Sequence, residues 1–168
     1  MKTQTTTSAK ARRATAPDAI ALLKDDHKKV SDLFAQYEKL GDKAKVAKLK
    51  LARKICAELK VHTQIEEEIL YPAARAHLPK QDDLLDEAQV EHNGAKQLMA
   101  ELDAMQPDDD LFDAKVTVLS EYIKHHVKEE HEEMFPKLRK TELDLQELGM
   151  RLAFRKTELQ KQVEPRGS

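Results

Sequence analysis

At 168 residues, with 36% charged side chains, four Gly and no Trp, the chain has the Ala, Leu, Lys and Glu bias of a helical bundle and length enough for one substantial core. A formal net charge of -2 gives no reason to expect nucleic acid or an acidic membrane as a partner. The one cysteine, Cys56, excludes an intramolecular disulfide, and no apolar run approaches the roughly 18 residues of a membrane span, so the chain reads as soluble and cytoplasmic.

Residues 1–16 set Lys2, Lys10, Arg12 and Arg13 among Thr, Ser and Ala, which predicts a disordered basic tail. The first helix is predicted to begin at Pro17-Asp18, with Leu23, His27, Val30, Phe34 and Tyr37 at alternating spacings of four and three, and Gly41-Asp42 as the stop. The second carries Ile55, Leu59, His62, Glu66 and Ile69 and is predicted to run to Pro72. After a connection around His77 to Pro79, the third shows Leu85, Ala88, His92, Ala95, Met99 and Leu102. Pro107 and the aspartates after it form the next break, one aspartate being the expected N-cap. The fourth carries Phe112, Val116, Leu119, Ile123, His126 and Glu130 up to Pro136. Short connections make neighbours antiparallel, so residues 17–138 are expected to form an all-α, up-down-up-down four-helix bundle. Leu143, Leu145, Leu148, Leu152 and Leu159 predict an accessory amphipathic helix within 139–163, packed on the outside. Residues 164–168 resemble a vector-derived scar.

The second half copies the first. His62-x3-Glu66 followed by Tyr71-Pro72 is matched by His126-x3-Glu130 followed by Phe135-Pro136, and His27 and His92 lead the two segments by 35 and 34 residues. A His and a Glu four residues apart share one helix face and can address the same ion. Each of these histidines falls on the apolar seam, where Leu or Ile would be expected. Burying four imidazoles and two carboxylates is costly unless they are paired or bound to cations. The candidate metal ligands are therefore His27, His62, Glu66, His92, His126 and Glu130. Imidazole and carboxylate without thiolate suit iron, manganese or zinc and disfavour calcium and magnesium.

This pattern resembles the hemerythrin-like (HHE cation-binding) domains over roughly residues 17 to 138. The resemblance implies a four-helix bundle with a non-haem di-iron centre. His27, His62, His92 and His126 would bind two Fe ions, Glu66 and Glu130 would bridge them, and an oxo or hydroxo group would be the third bridge. Lys96 stands where oxygen-carrying members have a further His, one turn after His92. The implied site is more symmetric and points to catalase-like peroxide decomposition, or to O2 or NO binding, with H2O2, O2 and NO as small ligands. The alternative is iron binding, buffering or sensing without turnover. Manganese fits the same donors, and no protein partner is implied.

Other residues are set aside on position. His125 and Glu129 repeat His-x3-Glu one residue out of register, off the Leu119-Ile123 seam. His77 and His131 are read as loop-borne or solvent-facing, and Glu67, Glu68, Glu132 and Glu133 as a charged face. Glu58, one turn before His62, is the expected support for a ligand histidine. Phe34, Tyr37, Met99 and Tyr122 are read as core or pocket residues, with Tyr37 and Tyr122 as candidate proton sources and Cys56 as an inert buried thiol.

Overall fold

A computed structural model describes residues 16–163; the expected scar and all but the last residue of the expected basic tail lie outside the described residues. Helix α1 (Ala19–Glu38) is capped by Asp18, whose Oδ1 accepts from the Ala21 N–H at 2.8 Å, so Pro17 precedes the cap instead of standing in the first turn. Helix α2 (Lys45–Ile65) passes through a π-helical turn, π1 (Glu66–Leu70), into α3 (Tyr71–His77). Helix α4 (Asp82–Asp103) follows. Then α5 (Phe112–Glu129) passes through π2 (Glu130–Met134) into α6 (Phe135–Arg139), and α7 (Leu145–Val163) completes the described chain.

The sequence pattern ends two helices at Pro72 and Pro136, yet both rods run on, to His77 and Arg139. Proline offers no N–H and its ring crowds the carbonyl four residues back. Each rod widens just before it: the Tyr71 N–H bonds the Glu66 carbonyl and the Phe135 N–H bonds the Glu130 carbonyl, both five residues apart. Each proline then sits in the first turn of the next α-helical stretch, where no donor is required. The expected aspartate N-cap of α5 is also absent. Leu111 holds that position in the left-handed region at φ 72°, and Asp109 instead accepts from the Gln106 N–H at 2.7 Å.

Helices α1 with α2, α4 with α5, α2 with α4 and α1 with α5 close the four-rod bundle, and α7 lies against α1, α2 and π1. One apolar cluster gathers Leu23, Ile65, Leu70, Leu85, Met134 and Phe135 with Leu148, Leu152 and Leu159 of α7. Burial of each such leucine stabilises the docked helix by roughly 1.5–3 kcal/mol. A second cluster, toward the other end, gathers Val30, Phe34, Ile55, Met99, Phe112 and Leu119. Between the two lies a buried polar layer: His27, His62, Glu66, His92, His126 and Glu130. The accessory helix seats closely. A Cβ on Gly149 would fall 2.7 Å from the Pro17 carbonyl oxygen and 2.8 Å from the Ala19 nitrogen, so this helix crossing needs glycine.

Candidate metal centre

All six expected residues converge, each buried, on one point between the rods. The seam spacing of α1 and α4 brings in His27 and His92, and the ends of α2 and α5 bring in His62 and His126. Glu66 and Glu130 each open a π turn, one helical turn beyond the histidine of their own rod. The four Nε2 atoms face inward in two pairs: His27 to His62 at 3.0 Å and His92 to His126 at 3.0 Å. Glu66 lies between the pairs, with Oε1 2.9 Å from His62 Nε2 and Oε2 3.1 Å from His92 Nε2. Glu130 Oε1 is 2.7 Å from His126 Nε2 and 3.6 Å from His27 Nε2, so it too reaches both halves.

The outward Nδ1 atoms have their own partners. The His62 Nδ1–H donates to Asp26 Oδ2 at 3.2 Å, and the His126 Nδ1–H donates to Glu91 Oε2 at 2.8 Å. Such bonds fix the ring orientation and leave Nε2 as the inward donor atom. His27 Nδ1 meets His131 Nε2 at 2.8 Å. His92 Nδ1 has no hydrogen-bond partner, its nearest acid being Glu67 Oε1 at 3.8 Å.

Electrostatically the cluster calls for positive charge. Burial opposes protonation of His62, but the Glu66 carboxylate and the bonds to Asp26 and Glu66 override it and lift the imidazole to about 10. His126 is likewise lifted well above its usual range against burial, chiefly by Glu130. Burial pushes Glu66 up, yet the charge of His62 and bonds to His126, His27 and His62 hold it well below the usual carboxylate range. Three buried carboxylate oxygens, Glu66 Oε1 and both of Glu130, nevertheless have no partner beyond the imidazoles of the cluster, Glu66 Oε1 standing 2.9 Å from His62 Nε2 and Glu130 Oε1 2.7 Å from His126 Nε2. Two nitrogens held at right angles by one ion at roughly 2.1 Å each would be about 3.0 Å apart, the spacing of both His pairs. The donors therefore fit metal cations in two adjacent places, with Glu66 able to serve both.

Several neighbours differ from expectation. The tyrosine at the centre is Tyr71, whose hydroxyl donates to Glu66 Oε2 at 3.2 Å and lies 3.1 Å from His92 Nε2 and 3.4 Å from His126 Nε2. Burial, then the charges of Glu66 and Glu130, push its phenol well above the usual range, so it keeps its proton. Tyr37 bonds Asp113 at 2.5 Å instead, and Tyr122 is 48% exposed, so neither is a proton source here. The one available signal for Tyr71 was its place before Pro72, where the matching residue is Phe135. His131 is part-buried against His27 and Phe135, not solvent-facing. Glu58 pairs with Lys29 at 2.7 Å, and the support for His62 is Asp26. An acid directly before each lead histidine, Asp26 and Glu91, was the legible mark of that role.

Glu67 and Glu68 are tied rather than merely solvated. Glu67 bonds Lys96 and Gln89, and Glu68 bonds Arg155 of α7 at 2.7 Å and 3.2 Å. Lys96, in the place of a further imidazole, thus turns outward to Glu67. His125 is 65% exposed and off the centre, as its phase implied. Cys56 is buried, and burial followed by the Asp103 charge pushes its thiol up to about 12, consistent with an inert group.

Residues 18–138 match the family described as Hemerythrin HHE cation binding domain. Among curated proteins, the chain is 28% identical over 118 residues to a protein named DNA nickase from Nostoc sp. (strain PCC 7120 / SAG 25.82 / UTEX 2576), a match covering 70% of this chain and 32% of that protein. The chain thus spans about a third of the length of this relative. Among solved structures, it superposes on a Hemerythrin HHE cation binding domain-containing protein from Mycobacterium kansasii with a TM-score of 0.73, over 87% of this chain and 89% of that one. At 21% identity that likeness is one of fold.

Proposed function

We propose that this chain, which belongs to the hemerythrin HHE cation binding domain family, holds a non-haem pair of iron ions in its buried His and Glu cluster and takes small oxygen species or nitric oxide there. The observation that supports this most is the donor arrangement: two His pairs at 3.0 Å, with buried carboxylate oxygens that have no other partner. His27 and His62 would hold one ion, His92 and His126 the other, with Glu66 and Glu130 between them. When bound, the pair supplies electron exchange with O2, H2O2 or NO. The same donors suit manganese.

The remaining chemistry belongs to the chain. Asp26 and Glu91 orient His62 and His126 and keep their Nε2 atoms aimed inward. The Tyr71 hydroxyl holds a proton beside Glu66 and the second His pair. Phe135 lies flat on His27, interplanar angle 8° and centroid separation 6.1 Å, and with the two apolar clusters it excludes bulk water. A cavity of about 180 Å³ lined by His27, Ser31, Phe34, Ile123, Lys124, Val127 and Lys128 reaches the centre at His27 and has ample room for a diatomic molecule or peroxide. With Lys96 turned outward, each half provides two imidazoles, a balance that favours peroxide decomposition over oxygen carriage. The partners are then small ligands; no described helix is long and apolar enough to cross a membrane. The activity in the name of the Nostoc relative is not transferred, because the match leaves most of that protein's length uncovered.

Anaerobic iron reconstitution followed by metal analysis tests the centre. The expected result is about two irons per chain, with oxo-bridged ferric absorption bands after air, both lost in His62→Ala with Glu130→Ala. Iron content near zero in the wild-type chain overturns the proposal. Oxygen evolution from peroxide that rises with iron content identifies turnover; its absence, with a reversible spectral change under O2 or NO, identifies binding.

A further inference from the structure

A second group of metal-donor side chains meets on the outer face of α4 and α5. His125 and Glu129 stand one turn apart on α5, with Nε2 3.2 Å from Glu129 Oε1, and Glu91 of α4 brings Oε1 to 3.8 Å from the same nitrogen. One donor atom from each lies within 4.8 Å of the others. Glu91 is divided between two surroundings: Oε2 accepts from His126 inside, and Oε1 faces His125 outside.

The internal duplication indicates what this face lacks. In the first half the positions equivalent to Glu91, His125 and Glu129 are Asp26, Val61 and Ile65. Asp26 makes the same division, with Oδ2 accepting from His62 and Oδ1 meeting the ammonium of Lys156, which α7 supplies. Val61 and Ile65 are apolar and buried in the cluster that α7 completes. No helix among the described residues covers the second half. Among the described residues no lysine or arginine pairs with Glu91, and the two flanking positions carry an imidazole and a carboxylate instead of aliphatic side chains. A plain surface ion pair explains His125 with Glu129, four residues apart on one helix. It leaves two carboxylates, Glu91 and Glu129, which also bond each other, facing the single imidazole of His125, where Asp26 alone meets a full ammonium.

We infer that Glu91, His125 and Glu129 bind a divalent first-row cation at the surface, in the place that the Lys156 ammonium takes in the other half. One imidazole nitrogen and two carboxylate oxygens, with water completing the shell, suit Mn(II), Fe(II), Co(II) or Zn(II) better than calcium or magnesium. The site is mononuclear and solvent-facing, and it binds more weakly than a buried centre. Through Glu91 it touches the support of His126, so a cation here also fixes the orientation of a residue at the centre. The inference does not depend on the buried cluster holding iron.

The test uses the full chain loaded anaerobically with Fe(II), then titrated with Mn(II) while free Mn(II) is followed by electron paramagnetic resonance. The expected result is one further saturable equivalent of Mn(II), absent in His125→Ala with Glu129→Gln, while iron content stays unchanged. No additional equivalent in the wild-type chain, or an equivalent that persists in the double variant, overturns the inference. His125 is exposed and Glu129 part-buried with its carboxylate kept as an amide, so the variant is expected to melt with the wild type; His125→Asn alone provides a second variant with the same expected loss. The same titration on His62→Ala with Glu130→Ala separates this inference from the buried centre. There the surface equivalent should remain even though the centre is disabled.

Discussion

The two halves of the bundle share a backbone plan and differ in what stands behind it. Each supplies a lead His, a His-x3-Glu and a π turn before proline, yet α7 roofs the first half and, among the described residues, no helix roofs the second. Asp26 finds a lysine ammonium, whereas the corresponding Glu91 faces an exposed histidine. Tyr71 carries a hydroxyl across to the histidines of the second half, whereas Phe135 offers His27 only a flat apolar face. His27 has a histidine behind it and His92 has no bonded partner at Nδ1. The residues that aim at the centre are thus of the same types in both halves. The residues one layer out differ, and there the halves have different charge and different exposure.

This contrast can be broken at graded strengths. The largest effect is expected from Glu66→Ala, because its two oxygens serve both His pairs. Loss of metal at both places should exceed the roughly 100-fold that a supporting residue commands, and retention of one ion at full affinity would show that the halves do not share this carboxylate. Asp26→Asn and Glu91→Gln come next, each expected to weaken metal binding roughly 10- to 100-fold in competition with a chromophoric chelator. Asp26→Asn should be the more harmful, since it strands the Lys156 ammonium; equal losses would erase the asymmetry between the halves.

Smaller effects concern stability. Gly149→Ala would place a methyl group against the backbone of Pro17 and Ala19 and is expected to cost about 1–3 kcal/mol, seen as a fall of several degrees in Tm. An unchanged Tm would mean that α7 does not seat as described. The smallest effect is expected far from the centre, where Tyr37 of α1, Lys48 of α2 and Asp113 of α5 tie the halves together. The Tyr37 hydroxyl, and then Lys48, hold the Asp113 carboxyl below its ordinary range against slight desolvation. With the folded value below the unfolded one, the stabilisation is present above the unfolded pKa, about 3.9, and is lost as pH falls through the folded value. Asp113→Asn should lower Tm at neutral pH by an amount at the low end of the roughly 0–1 kcal/mol range for screened surface pairs, with the difference vanishing in acid. A difference that persists in acid would assign the effect to something other than the charge.

Much was legible in the chain itself. The seam positions of His27, His62, His92 and His126, with Glu66 and Glu130 one turn beyond, follow from helical periodicity, because a 3.6-residue repeat dictates which side chains share a face. The same periodicity placed four rods and an amphipathic fifth. Local rules failed where a neighbouring segment supplied the missing partner. Pro72 and Pro136 read as stops, but packing on both sides holds the rods helical, and the chain absorbs the lost donor by widening one turn. Tyr71 read as part of a closing motif, and only the approach of α4 and α5 brings His92 and His126 to its hydroxyl. His131 read as exposed because its own helix phase leaves it at the edge, where α1 then covers it.

What the sequence determined by itself is the set of six seam His and Glu residues and its two-fold plan, since both are periodic features of single helices and of an internal repeat. What only the tertiary structure decided is which acid supports which histidine, which half α7 covers and which acid meets a lysine. Those pairings join residues as distant as Asp26 and Lys156, and no local preference encodes them. They are fixed by how α7 docks on one side of a nearly symmetric bundle and not on the other.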